Sequence, residues 1–116
     1  MKIAMIIITS FLALAVLVSA SGKLRKMPAV VEGMTHVGVK ENQIPLLAML
    51  EIAGCVGLLI GFATSLLGRL AAAGLVLYFL GAVIAHLRVK DSVKVYAPPA
   101  FLFVVSVATL VLQINR

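Results

Sequence analysis

The chain has 116 residues, of which 63% are hydrophobic and 12% charged, with a formal net charge of +6. Soluble domains carry about a quarter charged and about half apolar residues, so a water-covered surface is excluded and a bilayer is required. The length allows one domain, and basic residues placed at the ends of apolar runs mark membrane anchoring, not a nucleic-acid-binding face.

Crossing the hydrocarbon core takes about 20 helical residues. The first apolar run covers residues 3–20. Lys2, the apolar stretch and Val18-Ser19-Ala20 together resemble a secretory signal peptide. The stretch is long for a signal core, however, and Lys23, Arg25 and Lys26 follow at once, so a retained span is expected. In the loop that follows, residues 22–43, Met27, Val30, Val31, Met34 and Val37 line one helical face. Pro28 suits a helix start and Gly38 a stop. The spacing predicts a short amphipathic helix on the membrane surface or folded onto the bundle, with His36 solvated.

The second run covers residues 44–63, with Pro45 in its first turn and Asn42 as its cap. Ala53, Gly57 and Gly61 repeat at intervals of four with Gly54 beside them, a small-residue pattern that lets helices approach closely. The third run covers residues 70–87, where Gly74, Tyr78, Ala82 and His86 share a face flanked by Gly81 and Ala85. Gly54, Gly57, Gly61, Gly74 and Gly81 are the expected helix-packing positions. The fourth run, residues 97–114, opens through Pro98-Pro99. No run alternates, so barrel strands are excluded. The fold class is an all-α integral membrane four-helix bundle with a short amphipathic helix in loop 1–2.

Counting Lys and Arg orients the bundle. Loops 1–2 and 3–4 hold Lys23, Arg25, Lys26, Lys40, Arg88, Lys90 and Lys94, which makes seven. The opposite side holds Lys2, Arg69 and Arg116, which makes three. The larger loops are therefore expected in the cytoplasm and both termini outside, in a bacterial inner membrane.

Glu51 is the residue out of place. A carboxylate deep in a span costs about 2.5 kcal/mol or more on insertion scales, so it is usually retained for a partner or a function. It lies roughly 10 Å below the loop end of its helix at 1.5 Å per residue. Lys23 is its expected charged partner, with Tyr78 or His86 as neutral ones, and these four are the ligand-binding candidates. Each has a bland alternative: a packing carboxylate for Glu51, an interfacial histidine for His86, a core tyrosine for Tyr78. Tyr96 fits an aromatic belt and Cys55 a buried small hydrophobe. Thr9, Ser10, Ser106 and Thr109 are expected to bond their own helix backbone.

Catalytic motifs are missing. One cysteine permits no paired-thiol chemistry, His36 and His86 form no matched pair for haem, and no phosphate loop or metal-ligand spacing occurs. No haem or metal is expected, and no residue is assigned a catalytic role.

Four stretches carry a family resemblance: Ser21-Gly22-Lys23-Leu24, KMPAVVEGMTHVGV over residues 26–39, LEIAGCVGLLIG over 50–61 and AHLRVKD over 85–91. In these the chain resembles the DoxX-like family of small bacterial four-span membrane proteins. Members are associated with membrane redox systems, among them a quinone-reducing thiosulfate oxidoreductase and an oxidative-stress complex. The family's Gly-Lys segment and second-span Glu map to Gly22, Lys23 and Glu51. The resemblance implies an accessory or quinone-type-lipophile-binding subunit, with the lipid bilayer and redox proteins or further copies of itself as partners. A purely structural subunit and a small oligomeric transporter are the rival readings.

Overall fold

The computed structural model describes residues 2–116. Five α-helices follow in order: α1 Lys2–Leu24, α2 Pro28–His36, α3 Ile44–Ile60, α4 Ser65–Arg88 and α5 Val93–Ile114, with a 3-10 turn Glu41–Gln43 leading into α3. Four of them, α1, α3 with its 3-10 turn, α4 and α5, are long and apolar enough to cross a membrane. The molecule is 39 Å long, against about 30 Å of hydrocarbon core. Each spanning helix packs on two others, α1 on α3 and α5 and α4 on the same pair, closing a ring.

The surface is apolar where a soluble protein would be polar. Leu77, Leu66 and Met49 are each more than 60% exposed, which suits a lipid solvent. The core is small: Leu12, Ala13 and Val16 of α1 meet Cys55 and Leu58 of α3 and Ala72, Leu75 and Phe79 of α4. On α3 the buried side chains run Ile44, Ala48, Glu51, Cys55, Leu58, and on α1 they run Leu12, Val16, Ala20, Lys23. Steps of three and four make each a single stripe on its helix. Glu51 and Lys23 both stand on those inward stripes.

Three helix ends on one side of the bundle stop by the same device. At Lys26, Gly38 and Lys90 the backbone turns left-handed, with φ of 51°, 94° and 56°. The next amide then reaches back five residues: Met27 to Gly22, Val39 to Met34, Asp91 to His86. These are Schellman ends, which satisfy carbonyls the helix leaves unpaired. Gly38 carries no Cβ penalty there, whereas the two lysines do.

Four details depart from the sequence expectation. Asn42 does not cap the second span; the 3-10 turn intervenes, and the side chain of Gln43 accepts from the Lys40 amide at 3.1 Å. The third span begins at Ser65 because Thr64 caps it, accepting from the Leu67 amide at 3.3 Å. Arg69 therefore lies within α4 and not in a loop. The fourth span starts at Val93, leaving Pro98 and Pro99 inside the helix; these prolines withhold the donors that the carbonyls of Lys94 and Val95 would use.

The glycines divide into two groups. A methyl added at Gly54 would come 2.8 Å from Leu75 Cδ2, one at Gly57 would come 2.8 Å from Ala71 Cβ, and one at Gly61 would meet the Gly68 backbone. These permit close approach of α3 and α4. Gly74 and Gly81 are corrections: an added methyl meets nothing within 4 Å. Gly74 borders an open space between α3 and α4, and Gly81 borders another beside Met34 and Val37.

Candidate functional site

The Glu51 carboxylate is fully buried, and the Lys23 ammonium lies 2.7 Å from its Oε1. That is ion-pair distance, but its angles fall outside hydrogen-bond geometry, and neither oxygen of Glu51 has a hydrogen-bond partner among the described residues. Lys23 instead donates to Ser19 Oγ, one turn back along α1, at 2.8 Å. The Tyr78 phenol stands against the Glu51 carboxylate, at the margin of hydrogen-bond geometry. Buried polar atoms are nearly always bonded. A fully buried carboxylate held by one ammonium and a marginal phenol contact is the chemical anomaly of the fold.

Tyr78 and His86 stand two turns apart on α4, and both line two adjoining cavities. One, of about 170 Å³, is bounded by Ser19, Lys23, Tyr78, His86 and the Pro98-Pro99 turn. The other, of about 330 Å³, is bounded by Met34 and Val37 of the loop 1–2 segment, Leu47 of α3, and Tyr78 and His86 again. Glu51 is not among the lining residues of either; its neighbours Lys23 and Tyr78 are. The structure thus brings Lys23, Tyr78 and His86 to one cavity with Glu51 directly behind.

Asp91 was not singled out in the sequence, and it ties this end of the bundle together. The Schellman turn at Lys90 folds Asp91 back over the last turn of α4, where its Oδ2 lies 2.7 Å from His86 Nδ1. Its Oδ1 lies 2.8 Å from His36 Nε2. A carboxylate can only accept, so each histidine donates through the nitrogen named. The His86 hydrogen bond, joined by that of His36, holds the Asp91 carboxyl below its usual range despite partial desolvation. His36, expected to be merely solvated, is 57% exposed yet paired. The signal available in the sequence was the short spacing from His86 to Asp91 across a helix end. Its second partner, 55 residues away, left no local trace.

The opposite end carries a structural cluster. Arg116 donates to the carbonyls of Gly61 and Phe62 at the end of α3 and to Gln113 Oε1 at 2.8 Å. Gln113, fully buried, donates from Nε2 to Thr9 Oγ1 at 3.4 Å. These bonds satisfy helix-end carbonyls with a cation, where the helix dipole favours one. Ser106 and Thr109 bond the carbonyls of Leu102 and Val105, as expected for hydroxyls in a span. Cys55 is buried in the core. Among the described residues no three His, Cys, Asp or Glu side chains are grouped to hold a metal ion.

The model of the DoxX-like family matches residues 7–109. No curated protein and no solved structure matches the chain.

Proposed function

Because the chain belongs to the DoxX-like family, we propose that this membrane protein serves as an accessory subunit of a membrane redox system and binds a small quinone-type lipophile beside Glu51. The observation that carries this reading is the fully buried Glu51 carboxylate, paired with the Lys23 ammonium at 2.7 Å beside the cavity that Lys23 and Tyr78 line. An ion pair inside a span is costly to bury, and intramembrane ionisable groups are commonly retained for a ligand or a partner.

The adjoining cavities suit the proposed ligand. Small-molecule sites are mostly apolar, with a few placed polar groups, and begin at about 300 Å³; the larger cavity here is about 330 Å³. A quinone offers two carbonyl acceptors. The Lys23 ammonium and the Ser19 and Tyr78 hydroxyls are the donors available at the cavity. With the Nδ1–H of His86 donated to Asp91, its Nε2 is left as an acceptor, suited to the hydroxyl of a reduced quinone. Glu51 fixes the Lys23 head group in this arrangement. We place the cavity side in the cytoplasm of a bacterial inner membrane, because seven of the ten Lys and Arg residues stand there.

The test is extraction in polymer nanodiscs without detergent, followed by assay of quinone and protein that co-purify. Wild type should carry quinone above its share of the bilayer, and Glu51→Leu should lose it while remaining folded. Equal quinone in both would end the reading. A partner subunit co-purifying with both variants, without quinone, would favour the scaffold alternative.

A further inference from the structure

We infer that the ligand is a two-part lipid, whose ring sits at the Lys23–Tyr78–His86 cavity and whose long hydrocarbon tail lies in a furrow between α3 and α4, reached sideways from the bilayer. This rests on the reading that a lipophile binds beside Glu51, and it adds which lipophiles qualify and by what route.

The furrow has a volume of about 570 Å³ and runs between Leu50, Gly54 and Gly57 of α3 and Gly74, Leu77 and Tyr78 of α4. It shares Leu77 and Tyr78 with the 330 Å³ cavity above it. That cavity in turn shares Tyr78 and His86 with the cavity at Lys23. The three spaces thus adjoin between the lipid face and the ammonium of Lys23, with the Tyr78 side chain at the boundary of each. On α4 the furrow extends from Leu67 to Leu77, about 15 Å at 1.5 Å per residue. A headgroup alone would need none of it.

Sequence explains why the path is open. Gly74 is exposed, and a side chain there would meet nothing within 4 Å. On α4 the exposed positions flanking Gly74, Leu66, Leu70 and Leu77, are large. Close packing at Gly54 and Gly57 explains the approach of the two helices, but Gly74 touches nothing and so is not explained by packing. Its missing side chain leaves the space a tail would take, which makes Gly74 a residue that sets tail specificity.

The experiment measures equilibrium binding in nanodiscs of two probes: a methoxy-substituted benzoquinone bearing a decyl chain, and the same ring with a methyl group in place of the chain. Gly74→Leu should weaken the decyl probe at least about tenfold, because burial of two methylenes is already worth that much, and should leave the methyl probe unchanged. Ala53→Leu, from the facing wall, provides a second plug should Gly74→Leu fail to fold. Glu51→Leu should weaken both probes. If the plugs leave the decyl probe bound as tightly as before, the furrow holds only ordinary lipid chains and the inference is overturned with the site intact. If Glu51→Leu affects neither probe, the site itself is refuted. A wild type that binds neither probe overturns both.

Discussion

Lys23→Met removes the ammonium and keeps most of the apolar stem. It would leave the Glu51 carboxylate at 0% exposure without the cation now 2.7 Å away. Breaking a buried pair from one side costs about 3–5 kcal/mol. Glu51→Leu is the milder lesion. Lys23 keeps its bond to Ser19 at 2.8 Å, and from the last turn of α1 a lysine can extend to the interface. Leucine burial also offsets part of what is lost, so about 1 kcal/mol or less is expected. The double variant should return to wild-type stability or exceed it, as when buried pairs are replaced by apolar groups. Reversible unfolding by sodium dodecyl sulfate in mixed micelles, followed by loss of helical circular dichroism, measures all three. A Lys23→Met variant as stable as Glu51→Leu, or a double variant no better than Lys23→Met, would refute the asymmetry.

Gly61→Ala should destabilise the α3–α4 hairpin by about 1–3 kcal/mol, because its methyl meets the Gly68 backbone, which cannot yield; Gly74→Ala, meeting nothing, should be neutral or slightly stabilising in the same unfolding assay. A spin label attached through Gly33→Cys, in a Cys55→Ser background, should report α2 as held in wild type and freed in Asp91→Asn. Since pairing lowers the Asp91 carboxyl, its contribution is complete above the ordinary carboxylate range and is lost as pH falls through the lowered value, so wild-type α2 should loosen only in strong acid. Asn42→Cys, again with Cys55→Ser, should resist an impermeant thiol reagent in intact cells; ready labelling would reverse the orientation.

The sequence made the bundle plain because lipid imposes a strong rule: long apolar helices with every backbone group satisfied internally. The pairing of Glu51 with Lys23 was likewise legible, since a carboxylate in a span needs a partner and a lysine at a helix end can reach along the bundle. Helix ends were harder to see. Pro98-Pro99 suggested a start, yet α5 accommodates both prolines in its second turn. The glycines of α4 looked like packing positions, but small residues mark close approach only where another helix faces them, and none faces Gly74 or Gly81. Asp91 was invisible as a bridge because its reach to His36 depends on two loops meeting.

A lipophile held at the Lys23–Tyr78–His86 cavity can be located by photoaffinity labelling. An azido-benzoquinone with a decyl chain, irradiated in nanodiscs and mapped by mass spectrometry, should mark the segment from Leu77 to His86 of α4 and the end of α1 around Ser19 and Lys23, with labelling suppressed by excess unlabelled quinone. Labels scattered over the lipid-facing leucines, or concentrated at the Gln113–Arg116 end and indifferent to competitor, would contradict it.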